Sequence, residues 1–597
     1  MTASIMDIGA DVAAVFAADG PLAGKLKGYR PRIQQIELAQ AIAQAIGDRG
    51  TLVAEAGTGT GKTFAYLVPV LMHGGKVLVS TGTKTLQDQL FARDLPAVRD
   101  ALGLPVVIAL LKGRSNYLCH YHLERTVGDG RLASRAEVAQ LRKIELFAKH
   151  TRSGDKAELA EVPENADIWH KVTSTRDNCL GSDCPAFREC FVMQARKRAV
   201  EADVVVVNHA LFLADLALKD EGITDLLPAA DTVVFDEAHQ LPAAATRFLG
   251  ESVSSHQLLD FARDATVAGL SHARESADWP VLGQAVEQAT RELRLSCAAV
   301  EKMPGQRSTF DTLPNPQDFG KAVQQVIDTV HTLGRILMAV GERHPDLDMV
   351  AKRGPDLIAR LARWTEAHGV PPAHGEQTGK PAESAWPEPA AESSTEPSTE
   401  SPPPRADDGW VRWVETGASH IRLHTAPLSV AQAFSQYRPA GQAWILTSAT
   451  LAVREDFSHF TRQLGLYEAT TGRWESPFDY GTNGRLFVPH GIPAPQDPRF
   501  TEGFVEALLP VLAASRGSAL VLCTTLRAVD RVAELLQEAF RERGWEWPLF
   551  RQGDRSRREL LERFRTSAHA VLVGSASFWE GIDVPGDALT LVAIDKL

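Results

Sequence analysis

At 597 residues, 44% apolar and 23% charged, the chain has the composition of a globular protein and room for roughly three or four domains. No apolar run approaches the ~18 residues of a membrane helix. The N-terminus carries Asp7 and Asp11 in place of a basic leader, and six cysteines over this length are too sparse for a secreted disulfide scaffold. A cytoplasmic chain without a membrane partner is expected, and the formal charge of −12 does not exclude nucleic acid, because residues 371–408 alone contribute −6.

In chain order, TLVAEA (51–56) reads as a buried strand, and it runs into Ala56-Gly57-Thr58-Gly59-Thr60-Gly61-Lys62-Thr63 and then the helical run TFAYLVPVLM. Strand, glycine-rich loop and helix in that order form the context of a phosphate-binding loop. Gly57, Gly59 and Gly61 allow backbone N–H groups to close on phosphates, with Thr58 and Thr60 between them. Lys62 would reach the β- and γ-phosphates and Thr63 would coordinate Mg²⁺, so ATP and Mg²⁺ are the expected ligands. KVLVST (76–81) reads as the next strand.

Four cysteines follow: Cys119 after Lys112-Gly113-Arg114-Ser115-Asn116-Tyr117-Leu118, then Cys179, Cys184 and Cys190. Their spacing leaves a [4Fe–4S] cluster, zinc and unligated thiols all open, since one arm is a single cysteine and the other resembles no ferredoxin run. Cys523 ends an apolar strand and reads as a core residue, and Cys297 receives no role.

DVVVVN (203–208) and TVVFDEA (232–238) continue the parallel-strand pattern. Asp236 and Glu237 then emerge at a carboxyl edge, where Asp236 would hold Mg²⁺ and Glu237 would orient and deprotonate the attacking water. Residues 245–370 have helical spacing. The segment 371–408, with nine prolines and eight acidic against two basic side chains, reads as a disordered insertion. WILTSAT (444–450) looks like a late strand of the first sheet, while ALVLCTT (519–525), AVLVGSA (570–576) and TLVAID (590–595) define a second α/β lobe. No repeat of fixed period links the two lobes.

Two basic segments are candidate phosphate contacts: Phe187–Arg198, with local charge +3, and Arg551, Arg555, Arg557 and Arg558. A solvated helix face explains either equally well. Phe578 and Trp579 are candidate stacking residues, with buried packing favoured for at least one.

The phosphate loop, Asp236-Glu237-Ala238-His239, Thr447-Ser448-Ala449-Thr450 and the run Ser577–Gly586 together resemble the superfamily 2 helicases. Their order is similar to that of the iron–sulfur branch typified by the XPD and DinG/YoaA helicases, most of all the bacterial DinG/YoaA subgroup. Arg32 and Gln35 resemble an adenine-sensing motif, VLVSTGTKTLQDQL (77–90) resembles motif Ia, and Asn208-His209-Ala210-Leu211 and SPFDY (476–480) are also matched. The resemblance covers nearly the whole chain except the insertion.

That resemblance implies an α/β fold with two RecA-like motor lobes, an inserted Fe–S cluster domain and an inserted helical arch-like domain. Lobe 1 would be 1–111 with 206–244 and 421–455, the cluster domain 112–205, the arch 245–420 and lobe 2 456–597. It implies that Cys119, Cys179, Cys184 and Cys190 hold a [4Fe–4S] cluster. Gly581 and Asp583 would join the nucleotide site, and Ser448, Thr450, His239 and Glu580 would couple hydrolysis to DNA movement. The implied activity is ATP-dependent 5′→3′ translocation on single-stranded and forked DNA by a monomer in repair or replication. Single-strand-binding protein or polymerase-clamp subunits are the implied partners.

The resembled family continues beyond the run Ser577–Gly586 with a Q-x-x-G-R-x-x-R motif, and nothing of that form follows Asp583. A C-terminal truncation is therefore expected. With it comes an alternative expectation, a non-catalytic, cluster-bearing DNA-binding or redox-responsive protein.

Overall fold

The valine-rich runs become strands wherever both faces can be covered. The computed structural model describes residues 5–597 apart from 27, 130–131, 133, 165, 177, 221–225, 298–305, 367–409, 418–419, 432–433, 435–437, 440, 556, 576–577, 580–581, 583, 585 and 597. The 371–408 insertion thus lies outside the described residues, as do Glu580, Gly581 and Asp583.

The first strands in the chain are β1 (Thr51–Ala56), β2 (Val77–Thr81), β3 (Ile108–Leu110), β4 (Val204–Asn208) and β5 (Thr232–Asp236). There follow β6 (Glu251–Ser254), β7 (Gln306–Ser308), β8 (Trp410–Thr416) and β9 (Ile421–Pro427), then β10 (Ala443–Ser448) and β11 (Thr470–Trp474). The last four are β12 (Ala519–Leu522), β13 (Leu549–Arg551), β14 (Val571–Gly574) and β15 (Leu591–Ile594).

The first lobe is a seven-stranded parallel sheet in the order β11-β1-β10-β5-β2-β4-β3. Every residue of β1, β2, β5 and β10 is buried, as expected where helices cover both faces of a parallel sheet. Trp444 of β10 lies edge-on to Phe235 of β5, with ring centroids 5.2 Å apart. The helix Ile33–Gly47 packs through Leu38, Ala39, Ile42, Ala43 and Ile46, one face at helical spacing. Because β10 inserts between β1 and β5, the three loops leaving those strands share one edge, with Glu55 opposite Ser448 and Asp236 opposite Thr447.

The second lobe is a parallel sheet, β13-β14-β12-β15, covered by the helices Phe500–Ser515 and Leu526–Arg543 on a core that includes Leu512, Val521, Leu536 and Phe540. Within residues 112–205, Ile144, Val162, Ile168, Trp169 and Val172 are all buried.

Residues Pro242–Phe434 form a separate compact unit. Four helices, Ser255–His272, Trp279–Leu295, Pro316–Val340 and Pro345–Glu366, enclose Phe261, Trp279, Phe319 and Trp364. The first helix begins in a capping box: Ser254 Oγ accepts the Gln257 N–H while Gln257 Oε1 accepts the Ser254 N–H.

Two boundaries and one element differ from the sequence expectation. The helical unit also holds an antiparallel sheet, β6-β9-β8-β7. Ile421–Pro427, expected in lobe 1, is a strand of that sheet, because its alternating burial suits a sheet with one covered face. Thr470–Trp474, expected in lobe 2, pairs with β1 and closes the edge of the first sheet. Among the described residues no helix is long and apolar enough to cross a membrane.

Candidate functional site

The carboxyl edge of the first sheet assembles the residues that the sequence singles out. After β1 the chain turns through Gly59 and Gly61, both at φ +84°, into the helix Lys62–His73. This left-handed backbone suits glycine, and a Cβ on Gly61 would collide with the Gln35 amide. Gln35 Nε2 donates to Gly61 O at 2.9 Å, and Arg32 Nη1 donates to Gly59 O. Both side chains therefore brace the loop's backbone. Thr60 is buried, with its Oγ1 donating to Gly57 O at 2.9 Å, and Lys62 Nζ donates to Ala56 O at 3.3 Å. Thr63 sits in the first turn of the helix, where the dipole favours anions.

Asp236 and Glu237 end β5 in different environments. Asp236 is buried; its Oδ2 accepts from Tyr66 OH at 3.2 Å and its Oδ1 from the Glu237 N–H at 3.1 Å. Burial first, and then the neighbouring Glu237, push its carboxyl up to about 7 against the pull of Lys62. A divalent cation there would relieve the crowding of two carboxylates, so the residues present suit Mg²⁺. Glu237 adopts φ +54°, a left-handed backbone unusual for a side-chain-bearing residue. Burial raises its carboxyl, but the His239 hydrogen bond and the Lys62 charge outweigh that and hold it below the usual range. His239 Nδ1 lies 3.4 Å from Glu237 Oε2 and 2.8 Å from Ser448 Oγ at the end of β10. Thr450 is exposed, its N–H 3.4 Å from Ser448 Oγ.

The site contains residues that motif reading missed. Glu55, buried in β1, accepts N–H bonds from Leu451 at 2.6 Å and Ala452 at 2.7 Å, and pairs with Arg473 at 3.1 Å. A carboxylate inside an otherwise uncharged strand was the available signal, because a buried charge needs partners. Tyr66 carried no such signal; burial first, and then Asp236, raise its phenol well above the ordinary value. His209, matched in the sequence but given no role there, lies with Nδ1 2.7 Å from Ser80 Oγ, and burial pushes its imidazole down to about 4, keeping it neutral.

Cys119, Cys179, Cys184 and Cys190 line one cavity, together with apolar Leu118, Phe187, Val192 and Met193 and the basic Arg114 and Arg196. Burial first, then the neighbouring thiols, push Cys119 up to about 11, and burial likewise raises Cys184. Four cysteines lining one cavity form a donor set of the kind that suits a cationic metal core. Cys297 and Cys523 are buried elsewhere, as core positions.

The two expected basic patches fare differently. Arg188, Lys197 and Arg198 are exposed beside the cysteine cavity, whereas Arg196 lines it. In the second lobe Arg551 pairs with Asp554 at 2.7 Å and Arg555 with Glu559 at 2.7 Å, while Arg557 lies over the Phe578 ring. Phe578 is buried and Trp579 partly exposed, so only the latter offers a stacking face.

The model for a DEAD/DEAH box helicase matches residues 34–123, and that for a helicase C-terminal domain matches residues 508–597. The chain is 38% identical to the ATP-dependent DNA helicase YoaA of Haemophilus influenzae over 593 residues, covering 99% of this chain and 86% of that relative. It is 32% identical to the ATP-dependent helicase DinG of Mycobacterium tuberculosis, covering 96% and 82%. A solved XPD helicase structure aligns over 95% of this chain and 85% of that one, at 13% identity and a TM-score of 0.47.

Proposed function

Because the chain belongs to the YoaA/DinG group of ATP-dependent DNA helicases, we propose that it moves 5′→3′ along single-stranded DNA and splits forked duplexes during repair or replication. The observation that carries this reading is the convergence at one sheet edge of the phosphate loop, the Asp236–Glu237 pair and Ser448, with His239 within reach of both Glu237 and Ser448.

In this reading the backbone N–H groups of Gly57–Thr63 and the Lys62 ammonium would hold the triphosphate, and Thr63 and Asp236 would hold Mg²⁺, which would draw charge from the phosphates. Glu237, kept ionised by His239 and Lys62, accepts the proton of the attacking water. Arg32 and Gln35 set the loop's shape from behind. His239 passes the state of Glu237 to Ser448, and the loop containing Ser448 and Thr450 carries it toward the DNA. By the family resemblance, Glu580, Gly581 and Asp583 would serve nucleotide binding and coupling.

Residues 112–205 act as the wedge at the fork. Cys119, Cys179, Cys184 and Cys190 would hold a [4Fe–4S] cluster, which when bound ties the separate arms of that segment together. Arg188, Lys197 and Arg198 beside it offer charge to the phosphate backbone. Single-stranded and forked DNA are the substrates, with single-strand-binding protein or clamp subunits as protein partners of a monomer.

Unwinding assays on forks with a single 5′ or 3′ tail, run alongside DNA-stimulated ATPase, test the reading. A 5′ tail should suffice and a 3′ tail should not; the reverse pattern overturns the polarity. Glu237→Gln should abolish hydrolysis while retaining nucleotide binding, and unwinding that survives it removes Glu237 from the role of base.

A further inference from the structure

We propose that the segment leaving β11, residues 475–480, is a second wall of the nucleotide site, with Ser476 and Tyr480 as positioning residues for the phosphate loop. This inference rests on Gly57–Thr63 being that loop.

Strands β1 and β11 run parallel in a register that pairs Ala56 with Trp474, so both end at the same level. The residues that follow therefore run side by side, beginning with the Gly57 N–H, which donates to Trp474 O at 2.9 Å. Ser476 Oγ donates to Thr58 O at 2.7 Å, and the Tyr480 hydroxyl is hydrogen-bonded to Thr58 Oγ1. The wall is itself braced: Ser476 Oγ lies 3.1 Å from Tyr480 OH and accepts the Phe478 N–H at 3.2 Å. Asp479 then caps the short helix Tyr480–Asn483 through the Thr482 N–H.

The glycines record the same approach from the other side. A Cβ on Gly57 would stand 2.6 Å from Ser476 N, and one on Gly59 would collide with the Phe478 ring. Gly57 and Gly59 thus admit the wall as well as phosphates. Phe478 and Tyr480 are 51% and 56% exposed, so neither ring is held there by core packing. Both hydroxyl contacts fall on Thr58, between Gly57 and Gly59.

A loop of this composition loses conformational entropy when it closes on a nucleotide, and prior fixation reduces that cost. The wall acts on binding that ground state and transition state share, so its loss should raise KM and leave turnover alone.

The test uses the full chain without DNA, titrated with a fluorescent ATP analogue, followed by steady-state ATPase with single-stranded DNA. Removing both hydroxyls in a Ser476→Ala/Tyr480→Phe double variant should weaken analogue binding about five- to thirtyfold, the loss expected for two hydrogen bonds. KM should rise in step with kcat unchanged, and Ser476→Thr should restore most of the binding. Binding and KM within about twofold of the parent would overturn the inference. Lys62→Ala is the reference: if it leaves binding intact, the phosphate-loop reading itself fails. If it abolishes binding while the double variant does not weaken it, the wall alone fails.

Discussion

The Nδ1 atom of His239 stands 2.8 Å from Ser448 Oγ and 3.4 Å from Glu237 Oε2, although Ser448 lies 209 residues further along the chain. The insertion of β10 between β1 and β5 makes that meeting possible. A histidine within reach of both groups can report the state of the Glu237 carboxylate to the strand end beyond it. Ser448→Ala should therefore leave DNA-stimulated ATPase within about threefold of the parent while fork unwinding falls by about tenfold or more, consistent with loss of one hydrogen bond that serves coupling. Parallel ATPase and unwinding measurements check it; equal losses in both would place Ser448 in hydrolysis instead.

Glu55 shows how the loop after Ser448 is held. Its carboxylate accepts the Leu451 and Ala452 N–H groups and pairs with Arg473. Glu55→Ala would leave two N–H groups without their acceptor and should cost about 2–4 kcal/mol, whereas Glu55→Gln, retaining one acceptor oxygen, should cost less. Thermal or denaturant melts of the three proteins decide this, and equal stability of Glu55→Ala and the parent would refute it.

Much of this edge was legible in the sequence, because phosphate loops and acidic strand ends require particular residues in a particular order. TLVAEA and TVVFDEA are strands at or within two residues of their expected limits. The parts that were not legible depend on tertiary placement. β11, TTGRW, has a mixed polar pattern because it is an edge strand, and nothing local assigns it to β1 rather than to the second lobe. The sheet β6-β9-β8-β7 is built from short strands far apart in the chain, interleaved with strongly amphipathic helices that dominate the pattern. Among functional residues, SPFDY could be matched to relatives but given no role, since its contacts lie more than 400 residues away, on Thr58.

His209 gives the fold a defined acid limit. Its folded pKa of about 4 lies below the ordinary histidine value of 6.5, so between those values the unfolded chain binds the extra proton and the folded chain does not. Stability is fully present above pH 6.5 and declines as pH falls toward 4, by about 3 kcal/mol at most for this group. Urea melts between pH 7.5 and 4.5 should show that decline, and His209→Gln should flatten it. An unchanged slope in the variant would assign the acid sensitivity elsewhere.

The cysteine cavity makes a compositional prediction. An anaerobic preparation should be brown and carry about four iron and four sulfide per chain, and Cys184→Ser should lose the iron together with fork unwinding. A colourless anaerobic preparation containing zinc would identify the rival metal, which the same donor set also accepts.

Lys112 joins the helix Lys84–Gln89 to the cysteine-bearing segment. Its ammonium, only 3% exposed, lies 2.6 Å from Asp88 and 2.7 Å from Asp155, and its N–H donates to Tyr117 OH at 3.0 Å, two residues before Cys119. Removing the cation alone would leave two carboxylates without a counter-charge, Asp155 mostly buried and Asp88 reaching solvent. Lys112→Met should therefore destabilise the chain by about 1–3 kcal/mol, less than for a fully buried pair because Asp88 reaches solvent. The cause would be uncompensated charge rather than lost packing, because methionine fills most of the lysine stem's volume. The distinction is measurable: neutralising both acids in Lys112→Met/Asp88→Asn/Asp155→Asn should recover most of the lost melting temperature. If the triple variant stays as unstable as Lys112→Met, the ammonium is holding geometry and not only balancing charge. In that case iron retention, measured on the same samples, should fall with Lys112→Met and remain low in the triple variant.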